Sequence, residues 1–492
     1  MILGFDNEKY VRIQSKNILK RTKLFDKLYL EIGGKLLDDT HASRVLPGFQ
    51  SDAKIRMFQK LKDDLEIIFC INAGDIERNK VRAEYGITYD MEVLRLVFSL
   101  KKMGFSINSV VITLYNNQPT VDSFIKKLKR HRLKTYIHRY TKGYPTDIDT
   151  IVSKDGYGVN PYIKTTKKII LVTAPGPGSG KLATCLSQLY HEQNRGVNAG
   201  YAKFETMPVW DLPLKHPVNM AYEAATADLK DTNMIDYFHL DEYGEKAISY
   251  NRDLEVFPVL RTILHRILGK DVYKSPTDMG VNMIGKCILH GDVVVEASKR
   301  EIVRRYFGEL CNHRLGLVDY ATAERIKKLM NELGIDENYL DVVSPALEKS
   351  KKEKRHVISL KLSNGKIVIG KETDLLSPAS SVILNAIKEM SNIPDNIKLL
   401  SPSILKPILK FVSLSGESRN VLGLQQVLVA LSISSVTNPS VEEALRSLKN
   451  LKGCEAHATY MVGNGDSKML KSFGINLTCE PVFYSDVLDW KL

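Results

Sequence analysis

The chain has 492 residues, enough for two to four domains, and its 43% hydrophobic and 26% charged residues are typical of a globular protein. Its formal net charge of +13 favours anionic partners such as nucleotides and phosphorylated metabolites. The six cysteines are scattered without a CxxC pair, which argues against a disulfide framework. No apolar run is long enough to span a bilayer, and the start MILGFDNEKY lacks the pattern of a secretory signal. We therefore expect a cytoplasmic protein with no membrane partner.

Strands and helices alternate along the first third of the chain. Apolar runs predict strands, and helical spacing of apolar residues followed by a glycine stop predicts helices. The predicted strands cover residues 27–34 (KLYLEIGG), 65–75 (LEIIFCINAGD) and 109–115 (SVVITLY), and the helices cover 89–104 and 120–133. A short strand, KTYIHRY, follows. This alternation predicts an α/β fold with a mostly parallel sheet flanked by helices.

The rest of the chain divides into a helical region and a small second α/β region. Helical segments dominate from Val218 to about Leu340, and the charged run EKSKKEKR then suggests a linker. The segment HVISLKLSNGKIVIGKE predicts a hairpin, because Asn364 and Gly365 supply the positive φ angles of a two-residue turn. We predict an N-terminal Rossmann-like domain, a phosphate-loop segment with the helical region, and a C-terminal α/β domain, at residues 1–165, 166–347 and 348–492.

The stretch IILVTAPGPGSGKLATCLSQLYHE predicts a strand, a glycine-rich loop and a helix that begins at Lys181 and ends at Gln193. Such a loop can bind phosphate because the first N–H groups of the helix lack partners and the helix dipole is positive there. Three glycines would let the backbone curl round the anion, and a lysine would add a full charge. The predicted phosphate-binding residues of the loop are Gly176, Gly178, Ser179, Gly180 and Lys181. The alternative is a glycine-rich turn with a surface lysine.

The loop departs from the common phosphate-loop motif GxxxxGK[ST] at two positions. Pro175 stands where the pattern has glycine, and Leu182 stands where it has a hydroxyl that contacts Mg²⁺. Thr184 is two residues further on, about 200° round the helix, so it should face away.

The loop and its surroundings resemble those of dethiobiotin-synthetase-like and CTP-synthase-like enzymes over about forty residues. Gly180 and Lys181 match the GK of those enzymes, Lys203 matches a second lysine on the next strand, and Thr206 matches a threonine a few positions on. The resemblance implies that Lys203 also contacts phosphate and that ATP or another nucleotide is the ligand. Leu182 departs from these enzymes too, which leaves a role for Mg²⁺ and catalytic turnover open.

The whole chain also resembles a bacterial family known as a domain of unknown function. The resemblance rests on segments such as LEIGGKLLDDTHASRVLPGF, INAGDIERNKVRAEYGITYD and YKSPTDMGVNM. Some relatives carry the label ATP-dependent peptidase, but this sequence has no GxSxG or HExxH motif. The resemblance implies a multidomain α/β protein and brings no activity.

Carboxylates follow two predicted strands, where ligands bind in parallel sheets. Asp38 and Asp39 follow the first strand, and Asp75 follows the second. They are our candidate catalytic residues, as metal ligands or as a general base. The alternative is that they cap helices or lie on polar loops. No metal ligand set can be assigned from the sequence.

Two functions fit these features. The first is an enzyme, a kinase or ligase, that binds a nucleotide or a phosphorylated small molecule at the loop. The second is a non-catalytic nucleotide or phosphate sensor, which Leu182 favours. We expect a homo-oligomer in either case. Nucleic acid binding rests on the net charge alone, and we do not favour it.

Overall fold

A computed structural model describes residues 3–37, 39–82, 86–205, 208–414 and 421–487. The fold is α/β, as predicted, and it divides into two compact units. The first comprises Met1–Thr226 and Asp231–Ser298, and the second comprises Ala227–Lys230 and Lys299–Leu492. No helix among the described residues has the length and apolar character to cross a membrane.

The described strands and helices are numbered in chain order. The strands are β1 (Lys27–Ile32), β2 (Leu65–Asn72), β3 (Val81–Arg82), β4 (Ile87–Thr88), β5 (Ser106–Thr113), β6 (Lys134–Ile137), β7 (Ile169–Thr173), β8 (Ala199–Phe204), β9 (Asn233–Ile235), β10 (Ile248–Tyr250), β11 (Gly280–Val281), β12 (Val357–Lys361), β13 (Ile367–Lys371), β14 (Glu455–Ala458) and β15 (Asn476–Cys479). The helices are α1 (Asn7–Thr22), α2 (Thr40–Val45), α3 (Ala53–Gln59), α4 (Ala73–Glu77), α5 (Tyr89–Lys102), α6 (Pro119–Arg130), α7 (Ile148–Ile151), α8 (Lys181–Gln193), α9 (Pro217–Ala225), α10 (Tyr237–Tyr243), α11 (Asn251–Leu268), α12 (Pro276–Met279), α13 (Gly291–Arg314), α14 (Tyr320–Glu332), α15 (Val343–Glu353), α16 (Pro378–Met390), α17 (Pro402–Leu414), α18 (Leu424–Ser434), α19 (Pro439–Arg446) and α20 (Asn464–Ser472).

The first unit is built on a seven-stranded sheet in the order β11-β8-β1-β7-β2-β5-β6. Every neighbouring pair is parallel, which confirms the predicted parallel sheet. The loop strand β7 lies between β1 and β2, although it follows β6 in the sequence. The strands of the first two predicted segments therefore form one sheet, whereas we predicted a boundary between them near residue 165.

Helices α8 and α11 cover one face of this sheet. Tyr29 of β1, Val172 of β7 and Tyr201 of β8 form a buried cluster with apolar residues of both helices, including Leu189 and Phe257. Side chains alternate between the two faces of a strand. Glu31, two positions after Tyr29, and Lys203, two positions after Tyr201, therefore lie on this face too. These residues lie at the carboxyl ends of their strands, which is where a parallel sheet places its ligands.

The second unit contains a four-stranded sheet in the order β13-β12-β14-β15. β12 and β13 form the predicted hairpin. Gly365 has the predicted positive φ, of +86°, but Asn364 does not, and Leu362 N donates to Lys366 O, so the turn is longer than the predicted two residues. Ile358 and Leu360 of β12 pack in a core with Ile383 of α16 and Leu431 of α18. The predicted small C-terminal α/β region is confirmed.

Candidate functional site

The glycine-rich loop connects β7 to α8 at the carboxyl edge of the large sheet. The helix begins at Lys181, as predicted, and Gly180 precedes it with a φ of +75°. A Cβ atom at Gly180 would lie 2.8 Å from the Cβ atom of Thr113 on β5, so both the backbone angle and the space require glycine here. Gly178 also has a positive φ, of +69°.

Three side-chain hydrogen bonds hold the carbonyl groups of the loop. Ser179 Oγ donates to Gly176 O over 2.8 Å, and Thr113 Oγ1 donates to Ser179 O over 2.9 Å. Asn72 Nδ2, at the end of β2, donates to Gly178 O over 3.2 Å.

The amides of the same loop have no acceptor among the described residues. Within the described part of the chain, the N–H groups of residues 178–182 donate to no other group. Carbonyls bound by the protein and amides left available are the arrangement that an anion requires at the start of a helix.

Both predicted phosphate-binding lysines lie on the sheet face that α8 covers. Lys181 Nζ is 4.0 Å from Glu31 Oε1, and Lys203 Nζ is hydrogen-bonded to Asp253 of α11. Glu31 of β1 stands opposite Lys203 of β8 in the strand register, so their side chains share a face. The Lys181 and Lys203 side chains are 13% and 9% exposed. The structure thus places Lys181 near the Glu31 carboxylate and Lys203 next to Glu31 in the strand register.

Glu31 is the residue that the sequence analysis missed. Its Oε2 accepts a hydrogen bond of 2.6 Å from the Tyr201 hydroxyl. Burial, together with the charge of Glu31, raises the pKa of Tyr201 well above its ordinary value, so the tyrosine remains a donor. The signal in the sequence was a single acidic residue within the buried part of the strand KLYLEI.

Two residues at the start of α8 bring no hydroxyl to the loop. Leu182 packs against the apolar core beneath the helix. Thr184 is fully buried and lies 3.4 Å from Cys70 Sγ, whose pKa burial raises to about 12. This buried position agrees with the expectation that Thr184 does not replace the missing hydroxyl.

Asp39 lies in a closed ion cluster. Its Oδ1 caps α2 by accepting from Ala42 N over 3.1 Å, and its Oδ2 is 2.9 Å from Lys54 Nζ. Lys54 Nζ is also 2.7 Å from Glu205 Oε2, and Tyr10 donates to the other oxygen of Glu205. Burial alone would raise the pKa of Asp39, but the charge of Lys54 more than offsets it and the pKa is lowered. Each oxygen of Asp39 therefore already has a partner.

Asp75 is also held by cations. It is 1% exposed in α4, where it pairs with Arg78 and lies 3.8 Å from Lys80 Nζ. The cap of this helix is Asn72, whose Oδ1 accepts from Gly74 N over 2.8 Å. The catalytic roles of Asp39 and Asp75 stay predictions. Asp38, the third candidate, and Thr206 lie outside the described residues.

Family models match almost the whole chain. The model described as "Domain of unknown function DUF1846, N-terminal" covers residues 3–334, and the corresponding C-terminal model covers residues 338–488. The chain belongs to this DUF1846 family. A "UPF0371 protein" of Clostridium botulinum (strain Alaska E43 / Type E3) is 54% identical over 99% of both chains, and one of Clostridium tetani is 52% identical over the same share. These names state no activity and give the peptidase label no support.

In this DUF1846 member, the loop can hold an anion by two means. The amides of residues 178–182 offer donors, and Lys181 and Lys203 offer charge from two different elements. Donors fixed before the ligand arrives stabilise charge without reorganising, which is the main device of phosphoryl transfer. Glu31 adds an acceptor beside Lys181.

Proposed function

We propose that this protein binds a nucleotide or a phosphorylated small molecule at the loop 174–180 and is an enzyme of the kinase or ligase type. The observation that carries the proposal is a loop whose amides have no acceptor among the described residues, followed by Lys181 beside Glu31, with Lys203 opposite Glu31 on the neighbouring strand. A turn with only a structural role needs neither the second lysine nor the free amides.

The carboxylate beside the loop favours the enzyme over a sensor. Phosphoryl transfer needs a group that carries a metal or accepts a proton near the phosphate. Glu31, 4.0 Å from Lys181, stands in that place. The alternative function, a non-catalytic sensor of nucleotide or phosphate, is favoured by Leu182, which leaves α8 without the hydroxyl that contacts Mg²⁺ in the common loop. The homo-oligomer and the cytoplasmic location stay predictions.

Ligand-induced stabilisation tests the proposal. The melting temperature of the full chain is measured against ATP, GTP, CTP, ADP and inorganic phosphate, each with and without Mg²⁺. A ligand at 100 times its Kd stabilises the folded state by about 2.7 kcal/mol, so a real site gives a dose-dependent rise. We expect Lys181→Ala to lose this rise.

The matched control is Lys126→Ala, which removes an exposed lysine of α6 in the same unit. It should respond like the wild type. If no compound shifts the melting temperature, or if both variants respond alike, the loop is not the binding site. Release of ADP from ATP in the presence of candidate acceptors then separates the enzyme from the sensor.

A further inference from the structure

We propose that an apolar outer face of helices α17 and α18, in the second unit, is the contact surface of a homodimer. This α17/α18 face consists of Ile404 and Phe411 on α17, Val429 and Ile433 on α18, and Val436 just after α18. The partner is a second copy of this chain. The inference does not depend on the proposed function.

The first observation is the exposure of these five apolar residues. Between 39% and 83% of the surface of each is open to solvent. Val429, Ile433 and Val436 follow one another at intervals of four and three, so they form one row along α18. Ile404 and Phe411, seven positions apart, share one side of α17. The two helices pack against each other, which joins the two rows into one surface.

The size of the α17/α18 face suits one protein partner. A fully exposed large apolar residue has about 200 Å² of surface, so the five together leave roughly 600 Å² open. The largest apolar patch of a typical monomer is about 300–600 Å², and larger patches mark interaction sites. A stable interface buries about 800 Å² on each partner, and most of that area is apolar in homodimers. A second copy would therefore cover this face together with its polar rim.

The second observation is the absence of charge from α18. Residues 421–441 hold no charged side chain, although 26% of the whole chain is charged. Among the helices that the structure describes, α18 alone has no charged residue. The centre of a protein interface is depleted of charge in the same way. Because each copy has a net charge of +13, an uncharged face is also where two copies repel each other least.

The third observation is the opposite charge of the two helices that pack against α18. α17 carries the exposed Lys406, and α19 carries the exposed Glu442 and Glu443. Arg446 pairs with both glutamates and neutralises only one of them. A twofold axis along α18 exchanges the two borders of the face, so the lysine of one copy meets the glutamates of the other. The face is thus complementary to itself.

A membrane surface suits this face less well than a second copy does. Helices that lie on a membrane have a polar side rich in lysine and arginine. α18 has no basic residue, and α19 beside it would bring Glu442 and Glu443 towards anionic headgroups. A second copy instead offers these glutamates a lysine.

Sedimentation velocity of the full chain over a wide range of concentrations tests the proposal. We expect the wild type to sediment as a dimer, with twice the 55.5 kDa of one chain. Phe411→Glu and Ile433→Glu should each raise the dissociation constant of the dimer by about 100-fold or more, because each buries two charges at the centre of a symmetric interface.

Two further variants control the experiment. Leu317→Glu makes the same change at a residue of the second unit that is 64% exposed and lies outside α17 and α18, so it should leave the dimer intact. Ile433→Ser only shortens an exposed side chain. It should weaken the dimer by about tenfold, which keeps the test valid if the glutamate variants fold poorly. Urea unfolding of each variant checks its fold.

Three results would overturn the inference. They are a wild type that sediments as a single chain at every concentration, dimers of Phe411→Glu and Ile433→Glu as stable as that of the wild type, and dissociation of Leu317→Glu to the same extent as these two. A single-chain wild type that floats with phosphatidylglycerol vesicles, when Phe411→Glu does not, would assign the face to a membrane instead.

Discussion

Helix α8 carries two ion pairs on the same face of the large sheet, one in its first turn and one in its last. At its end, Oε1 of the fully buried Glu192 lies 2.8 Å from Lys27 Nζ and also accepts from the hydroxyls of Tyr29 and Thr165. At its start, Lys181 and Glu31 are 4.0 Å apart. The residue types are the same, but the geometry differs: the protein's own donors surround Oε1 of Glu192, whereas Oε1 of Glu31 accepts no hydrogen bond from a described residue and lies 4.0 Å from Lys181 Nζ. A buried ion pair therefore marks a binding site only where its geometry leaves room for a ligand.

The largest expected effect on the free energy of unfolding comes from breaking the Lys27–Glu192 pair. Lys27→Met leaves the Glu192 carboxylate buried without its cation, and loss of one partner of a buried pair costs about 3–5 kcal/mol. We expect urea unfolding to show a loss of this size. Lys181→Met should cost less than Lys27→Met, since the 4.0 Å between Lys181 Nζ and Glu31 Oε1 is too long for a direct hydrogen bond. Equal losses in the two variants would show that the two ends of α8 do not differ in this way.

A buried histidine tests the effect of burial without an ion pair. Burial, together with the nearby charge of His191, lowers the pKa of His138 to about 4 from 6.5. The unfolded chain thus binds a proton more readily, so the stabilisation is complete above pH 6.5 and is lost as the pH falls towards 4. The loss at pH 5 relative to pH 7.5 is about 2 kcal/mol, at 1.36 kcal/mol for each pKa unit.

Urea unfolding at the two pH values measures this loss. His138→Gln removes the titrating group, so its unfolding free energy should change less between pH 7.5 and pH 5 than that of the wild type. If the variant and the wild type lose the same amount, His138 is not the group responsible.

The smallest expected effect on stability comes from a substitution in the loop that precedes α8. A Cβ atom at Gly176 would lie 2.4 Å from the Tyr89 hydroxyl, so Gly176→Ala forces the tyrosine side chain to shift. We expect a stability loss of about 1 kcal/mol from this overpacking, but a loss of ATP affinity of at least tenfold, because the loop moves. Parallel unfolding and titration experiments measure the two effects. A variant that binds ATP as the wild type does would show that the loop position does not set affinity.

The sequence predicted the elements well, because each depends on local pattern. The helix Lys181–Gln193 has the predicted bounds, and β12 and β13 form the predicted hairpin, with the predicted positive φ at Gly365 but not at Asn364. The apolar runs and the helical segments between them predicted the parallel sheet. These features follow from periodicity and turn chemistry, which a single sequence displays.

The site was only partly predictable, because it depends on strand order. The loop and its two lysines carry a motif, but the proximity of Glu31 to Lys181 exists only because β7 lies next to β1. Sequential strands are usually neighbours, and this one is not. The short strand β11 was also missed: its two residues follow a capping box at Ser275 and Asp278.

The position of β7 has a consequence for synthesis on the ribosome. β1 pairs with β7 and β8, so the first strand made has no partner in its sheet until the chain reaches residue 169. At the usual rate of translation, β1 waits on the order of ten seconds without a sheet partner, while β2, which pairs with β5, keeps one edge unpaired. A nascent chain that stops before β7 lacks both the centre of its sheet and the loop. We therefore expect such chains to need a chaperone or to be degraded, and the binding site to form only when β7 closes the sheet.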